Sequence, residues 1–176
     1  MRRPHLVVLT GLPGTGKSTI AALAARRLRA ALLVVDNIEA SLWRAGVSRK
    51  EPTGLAAYVI AQAAAESSLR AGSSVVADAV NSVSDAREGW QRAAERTQSV
   101  LRVVEVVCSD PDEHRRRIQS RRVDSAYPDP GGWQQVRTRR FEPWTLPQSR
   151  LVLDTARMTE PECERALRRY LPADRD

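Results

Sequence analysis

Gly11-Leu12-Pro13-Gly14-Thr15-Gly16-Lys17-Ser18-Thr19 is the stretch on which the fold turns. It fits G-x-x-x-x-G-K-[ST], a pattern with a physical job. A β-type run, His5 to Thr10, precedes it, and an Ala- and Leu-rich segment with helical spacing, Lys17 to Ala30, follows. Glycines in such a loop let the backbone wrap, so that successive N–H groups point at phosphate oxygens. The helix behind the loop brings its positive end to the same anion. Lys17 adds a full charge at the β/γ-phosphates, and the Ser18 hydroxyl suits Mg²⁺. The expected ATP-binding set is therefore Gly11, Pro13, Gly14, Thr15, Gly16, Lys17, Ser18 and Thr19. At this chain's residue frequencies a chance match is on the order of one in a thousand.

Outward from the loop, short apolar runs alternate with helical patterns. Leu32 to Val35 reads as a second strand stopped by Asp36, and Ser74 to Ala77 as a third stopped by Asp78. Leu101 to Cys108 and Arg150 to Leu153 read as the fourth and fifth. Between and after them, helices are expected over Ile38 to Ala45, Gly54 to Ala71, Asp85 to Gln98, Asp110 to Arg122, Trp133 to Arg140 and Glu160 to Tyr170. Such alternation predicts an α/β fold with parallel strands and helices on both faces. One domain over residues 1–176 is expected, with a lid at about 110–132, where Pro128, Pro130, Gly131 and Gly132 follow a dense arginine run.

The composition constrains partners. The formal charge is +7, with a pI near 10.4, and every basic residue except Lys17 and Lys50 is arginine. Such charge suits nucleotides, or a nucleic acid as the less favoured partner. The arginines are spread along the chain rather than gathered in a tail. Cys108 and Cys163 lack metal or disulfide spacing. No leader or membrane-spanning stretch is read, so the expected location is cytoplasmic, as a monomer or homodimer.

Two classes of P-loop protein fit poorly. The guanine-reading [NT]-K-x-D segment of GTPases does not occur. Motor-type ATPases end a strand in Asp-Glu, whereas here the third strand runs into Val75-Val76-Ala77-Asp78-Ala79. The loop instead looks like that of gluconate-kinase-like, zeta-toxin-like and polynucleotide-kinase-like proteins. Asp36 matches the carboxylate that faces the acceptor hydroxyl in that group. Asp78-Ala79-Val80-Asn81 with Arg87 is similar to its D-x-[TV]-N…R segment, and Arg117-Ile118-Gln119-Ser120-Arg121-Arg122 looks like its arginine lid. With Glu142-Pro143-Trp144 and Leu153-Asp154, nearly the whole chain resembles this P-loop small-molecule kinase group and its bacterial "AAA family ATPase" members. The resemblance implies a three-layer kinase fold with strand order 2-3-1-4-5. It also implies ATP and Mg²⁺ as cofactors, and transfer of the γ-phosphoryl group to a hydroxyl of a small molecule.

Each candidate has a plainer reading beside it. Asp36 sits where open α/β sheets bind ligands and suits a base or an orienting group; the alternative is a helix N-cap. Asp78 shares that logic, for a water on Mg²⁺ or the acceptor itself, against a cap or turn. Asn81 stabilises a turn or touches the acceptor. Arg117 and Arg121 lie four apart on one helical face and suit the charge that spreads over the moving phosphoryl group, against a solvated helix. Arg44 and Arg87 suit an anionic acceptor, against ordinary surface arginine. Tyr58 and the tryptophans stack on a ring or pack. His114 is expected to be exposed and without a chemical role. The rival functions are a nucleoside or polynucleotide end kinase and a nucleotide-gated binding module with no acceptor.

Overall fold

The first strand, β1 (His5–Thr10), carries two alternating sets of apolar side chains, and both are buried. Leu6 and Val8 point to one face; Val7 and Leu9 point to the other. A strand buried on both faces needs helices on both, and parallel neighbours supply them through helical crossovers. The computed structural model describes residues 3–120, 132–142, 144 and 150–171.

From β1 the chain runs through α1 (Lys17–Leu28), β2 (Ala31–Val34), α2 (Val35–Arg44), α3 (Thr53–Arg70) and β3 (Val75–Asp78). It continues through α4 (Ser84–Thr97), β4 (Val100–Val107), α5 (Pro111–Ser120), α6 (Trp133–Thr138), β5 (Leu151–Asp154) and α7 (Glu160–Tyr170). The five strands are all parallel in the order β2-β3-β1-β4-β5, as the resemblance implied.

Small residues set the layer spacing. Ala57, Ala61, Ala65 and Leu69 recur every four residues along α3, so one buried stripe lies against Leu6, Val8, Val75 and Ala77. Trp90 of α4 completes that layer and is fully buried. On the opposite face Ile20, Ala21 and Ala24 of α1 pack with Val7, Leu9, Val76 and Val104, and Cys163 and Leu167 of α7 join them. Cys163 is thus a buried thiol, pushed up in pKa by that burial. Cys108 is only half-buried. No helix among the described residues is long and apolar enough to cross a membrane.

One boundary moves in a way that matters. Val35 looks like the last residue of a strand, but the β2–β3 register closes at the pair Val34 and Asp78. The chain turns there, Val35 opens α2, and Asp36 lies in the first turn of that helix. The N-cap is Val34, with no side-chain cap bond. The capping role for Asp36 therefore does not hold.

Candidate functional site

The loop from Gly11 to Thr19 is tied down from three sides. Beneath it, Gly11 N–H and Thr10 Oγ1 donate to Val80 O at 3.4 and 3.0 Å. On the β5 side, Thr155 Oγ1 donates to Thr15 O at 2.8 Å. On the α5 side, His114 Nε2 lies 2.7 Å from Pro13 O, which fixes the ring proton on Nε2, since a carbonyl can only accept. His114 is 6% exposed and meets the Trp133 ring edge-on at 5.2 Å, so the expectation that it is exposed is overturned. Ile118, one turn further along α5, covers Gly14, where an added Cβ would lie 2.7 Å from Ile118 Cδ1. Gly14 and Gly16 have φ of +80° and +91°, a region that favours glycine.

So anchored, the loop opens onto a cleft of about 480 Å³. Pro13, Gly14, Gly16, Lys17, Ser18 and Thr19 line one end. The first backbone N–H groups of α1 belong to this end and have no acceptor within the helix. Gly11 and Thr15 are not part of the lining; Thr15 turns its hydroxyl to Leu12 O at 2.9 Å and shapes the loop. Asp36, Glu39, Tyr58, Asp78, Ser82 and Arg139 line the other end. The sheet edge thus joins the loop to both aspartates in one space. Asp78, the last residue of β3, is 4% exposed.

Glu39 and Arg139 were not among the expected site residues, and Tyr58 was expected only to stack on a ring or pack. Glu39 was detectable, because it stands three residues after Asp36 on the same helical face. Tyr58 projects from α3, and its hydroxyl accepts the Asn81 N–H at 3.0 Å. Burial, with smaller contributions from Asp36 and Asp78, pushes the Tyr58 phenol up to about 12. It therefore stays protonated and able to donate up to about pH 12. Tyr58→Phe should lower kcat/KM a few-fold, as loss of one neutral hydrogen bond does. It should leave both limbs of the pH–rate profile in place; a limb that vanishes would show that Tyr58 titrates during turnover.

Asn81 and Arg87 are corrections. Both lie beneath the cleft and outside its lining. Asn81 is fully buried with φ +52°; its Nδ2 donates to Leu9 O at 2.8 Å and its Oδ1 accepts from Trp90 Nε1 at 2.9 Å. Arg87 is 5% exposed, and its guanidinium donates to the carbonyls of Asn81, Ser82 and Glu142. Burial lowers the Arg87 pKa from its ordinary value. These residues lock the turn after β3 and so hold Asp78 and Val80 in place. Asn81→Ala removes the acceptor for Trp90 Nε1 and leaves alanine at a positive φ. A stability loss of about 2–4 kcal/mol is expected, read as a lower urea midpoint. An unchanged midpoint would refute this locking role.

Arg44 is also displaced from its expected place: it is exposed at the end of α2, bonded to Ser41 Oγ at 2.7 Å, and outside the cleft lining. Arg117 lies on the opposite flank of the loop, lining a second depression with Gly14, Gly16, Thr19 and Thr155. It donates to Glu113 Oε1 and Thr155 Oγ1, each at 2.7 Å. Hydrogen bonds from Arg116 and then Arg117 hold the Glu113 carboxyl down to about 2. Arg121 and most of the expected lid loop lie outside the described residues. Among the described residues no group of three or more His, Cys, Asp or Glu is placed to hold a metal by itself.

A family model described as an AAA domain matches residues 6–143. No curated protein matches the sequence. Among solved structures, an inferred kinase from Chloroflexus aurantiacus is 23% identical with a TM-score of 0.78, covering 97% of this chain and 100% of that one. A sugar kinase from Janibacter is 16% identical with a TM-score of 0.70, covering 97% and 95%. The APS kinase of Mycobacterium tuberculosis, in complex with AMPPNP and APS, is 20% identical with a TM-score of 0.65, covering 95% and 97%. At these identities the likeness is one of fold.

Proposed function

This chain belongs to the AAA-domain family, and we propose that it is an ATP-dependent phosphotransferase acting on a hydroxyl of a small molecule. The observation that carries the proposal is the single cleft that joins the phosphate loop to Asp36 and Asp78. A nucleotide switch needs the loop; it does not need a second, carboxylate-lined end of the same space. The kinase names of the structurally similar proteins support the same reading.

In this mechanism the loop N–H groups and Lys17 hold the β/γ-phosphates and offset charge on the moving group. The acceptor hydroxyl lies between Asp36 and Asp78. Asp36 orients it and takes its proton as the oxygen attacks the γ-phosphorus. The bond from that phosphorus to the bridging oxygen breaks, and its electron pair stays on ADP. The Ser18 hydroxyl, with Asp78 acting through water, fits Mg²⁺, because both are hard oxygen donors lining the same cleft; the ion would neutralise β/γ-oxygen charge. Arg117 supports the loop flank from α5, bonded to Thr155.

The test is a screen of hydroxylated metabolites and nucleosides with γ-labelled ATP. Transfer of label to an acceptor is expected. ATP hydrolysis alone, or binding with no labelled product, would overturn the proposal in favour of a nucleotide-gated module.

A further inference from the structure

Phosphoryl transfer by the route above uses two carboxylates, yet the acceptor end of the cleft holds three. Glu39 is the one left without a task. It is positioned, not loose: Oε1 accepts from Thr53 Oγ1 at 2.8 Å, and that hydroxyl accepts from Trp43 Nε1 at 3.0 Å. Oε2 has no hydrogen-bond partner among the described residues. Gly54 leaves space beside it, since even an added Cβ would stop 3.5 Å from Oε1. Asp78 adds a second, independent sign of a missing ligand. The residue is 4% exposed, and its carboxylate lines the cleft with no hydrogen bond among the described residues.

Among the described residues that line the cleft, the cations are Lys17, at the phosphate end, and Arg139, exposed at the acceptor end, against three carboxylates. The two arginines that would have greeted an anionic acceptor are elsewhere: Arg44 faces Ser41, and Arg87 is spent on carbonyls under the floor. An acidic acceptor would bring like charge to three carboxylates, each disfavouring it. An ammonium group would complete Glu39 with a charge-assisted hydrogen bond.

From this we infer that the acceptor is a hydroxylated amine, its ammonium held by Glu39 and its hydroxyl presented at Asp36. The inference rests on the phosphotransferase reading and names its substrate class. The chemistry is unchanged: the hydroxyl oxygen bonds to the γ-phosphorus, ADP leaves with the electron pair, the proton passes to Asp36, and the ammonium takes no part.

The experiment uses the full chain, γ-labelled ATP and three matched sets of acceptors. The amines are ethanolamine, glucosamine and streptamine; the second set is their N-acetylated forms; the third is the acids glycolate and gluconate. Label is expected on amines, with kcat/KM about tenfold above the N-acetylated partner, the value of one charge-assisted hydrogen bond. Glu39→Gln should cut that preference to about twofold, mainly through KM for the amine. Label on N-acetylated forms or acids at equal or higher efficiency overturns the amine assignment and leaves the phosphotransferase reading standing. A preference that survives Glu39→Gln overturns the role of Glu39. No label on any set, with ATP shown to bind by calorimetry, overturns both readings.

Discussion

Lys17→Ala should abolish most ATP affinity and lower phosphoryl transfer by about 10²–10³-fold, the scale seen when one preorganised charge-stabilising donor is removed. The ammonium lies 3.2 Å from Leu12 O, across the mouth of the loop, and lines the cleft with Ser18 and Thr19. No other lysine is near enough to take over, because Lys50, the only other one, sits exposed in the turn between α2 and α3. The fold should survive the change. Residue 17 opens α1, alanine is the best helix former, and Lys17 belongs to neither buried core cluster. A thermal midpoint within a degree or two of wild type would show that the lost activity is a lost charge. Lys17→Arg should not restore turnover, since a planar guanidinium cannot replace a compact ammonium in so tight a loop. Unchanged ATP affinity in Lys17→Ala would sink the nucleotide site and everything built on it.

The parts of this site that could be read from sequence are those fixed by the backbone. A strand buried on both faces leaves a continuous apolar run, so β1 and β3 and the loop after β1 were legible, and with them Asp78 at the end of β3, whereas Asp36, expected at a strand end, lies past β2 in the first turn of α2. Side-chain burial was not legible, because it depends on what the turn after β3 packs against. Asn81 and Arg87 carry polar groups that suit an acceptor as well as a carbonyl, and only the fold shows that carbonyls of the turn take them. His114 misleads for a related reason. It stands in a helix thick with arginine, yet its face of α5 is the one that meets Pro13, with Ile118 one turn on. Thr155 had no motif at all. It follows β5 and reaches the loop only because β5 is the far edge of the sheet's second half, two strands from β1.

Asp36→Asn should leave ATP binding nearly intact and cut kcat by about 10²–10⁴-fold, the range a positioned proton acceptor contributes. The amide keeps the size and one acceptor oxygen of the carboxylate but cannot take a proton at working pH. The two aspartates differ in surroundings, which separates their roles. Asp36 is half-buried in the first turn of α2 and lines the cleft. Asp78 is walled in at the end of β3, next to the phosphate loop, and suits orientation of water on the metal. Asp78→Asn should therefore weaken the Mg²⁺ dependence of turnover, which Asp36→Asn should leave unchanged. A further readout distinguishes a base from a packing residue. If Asp36 accepts the proton, the acidic limb of the kcat profile reports its protonation and disappears in Asp36→Asn, while the residual rate stays flat with pH. Full turnover in Asp36→Asn, or an acidic limb that persists there and vanishes in Asp78→Asn, would transfer the proton to Asp78.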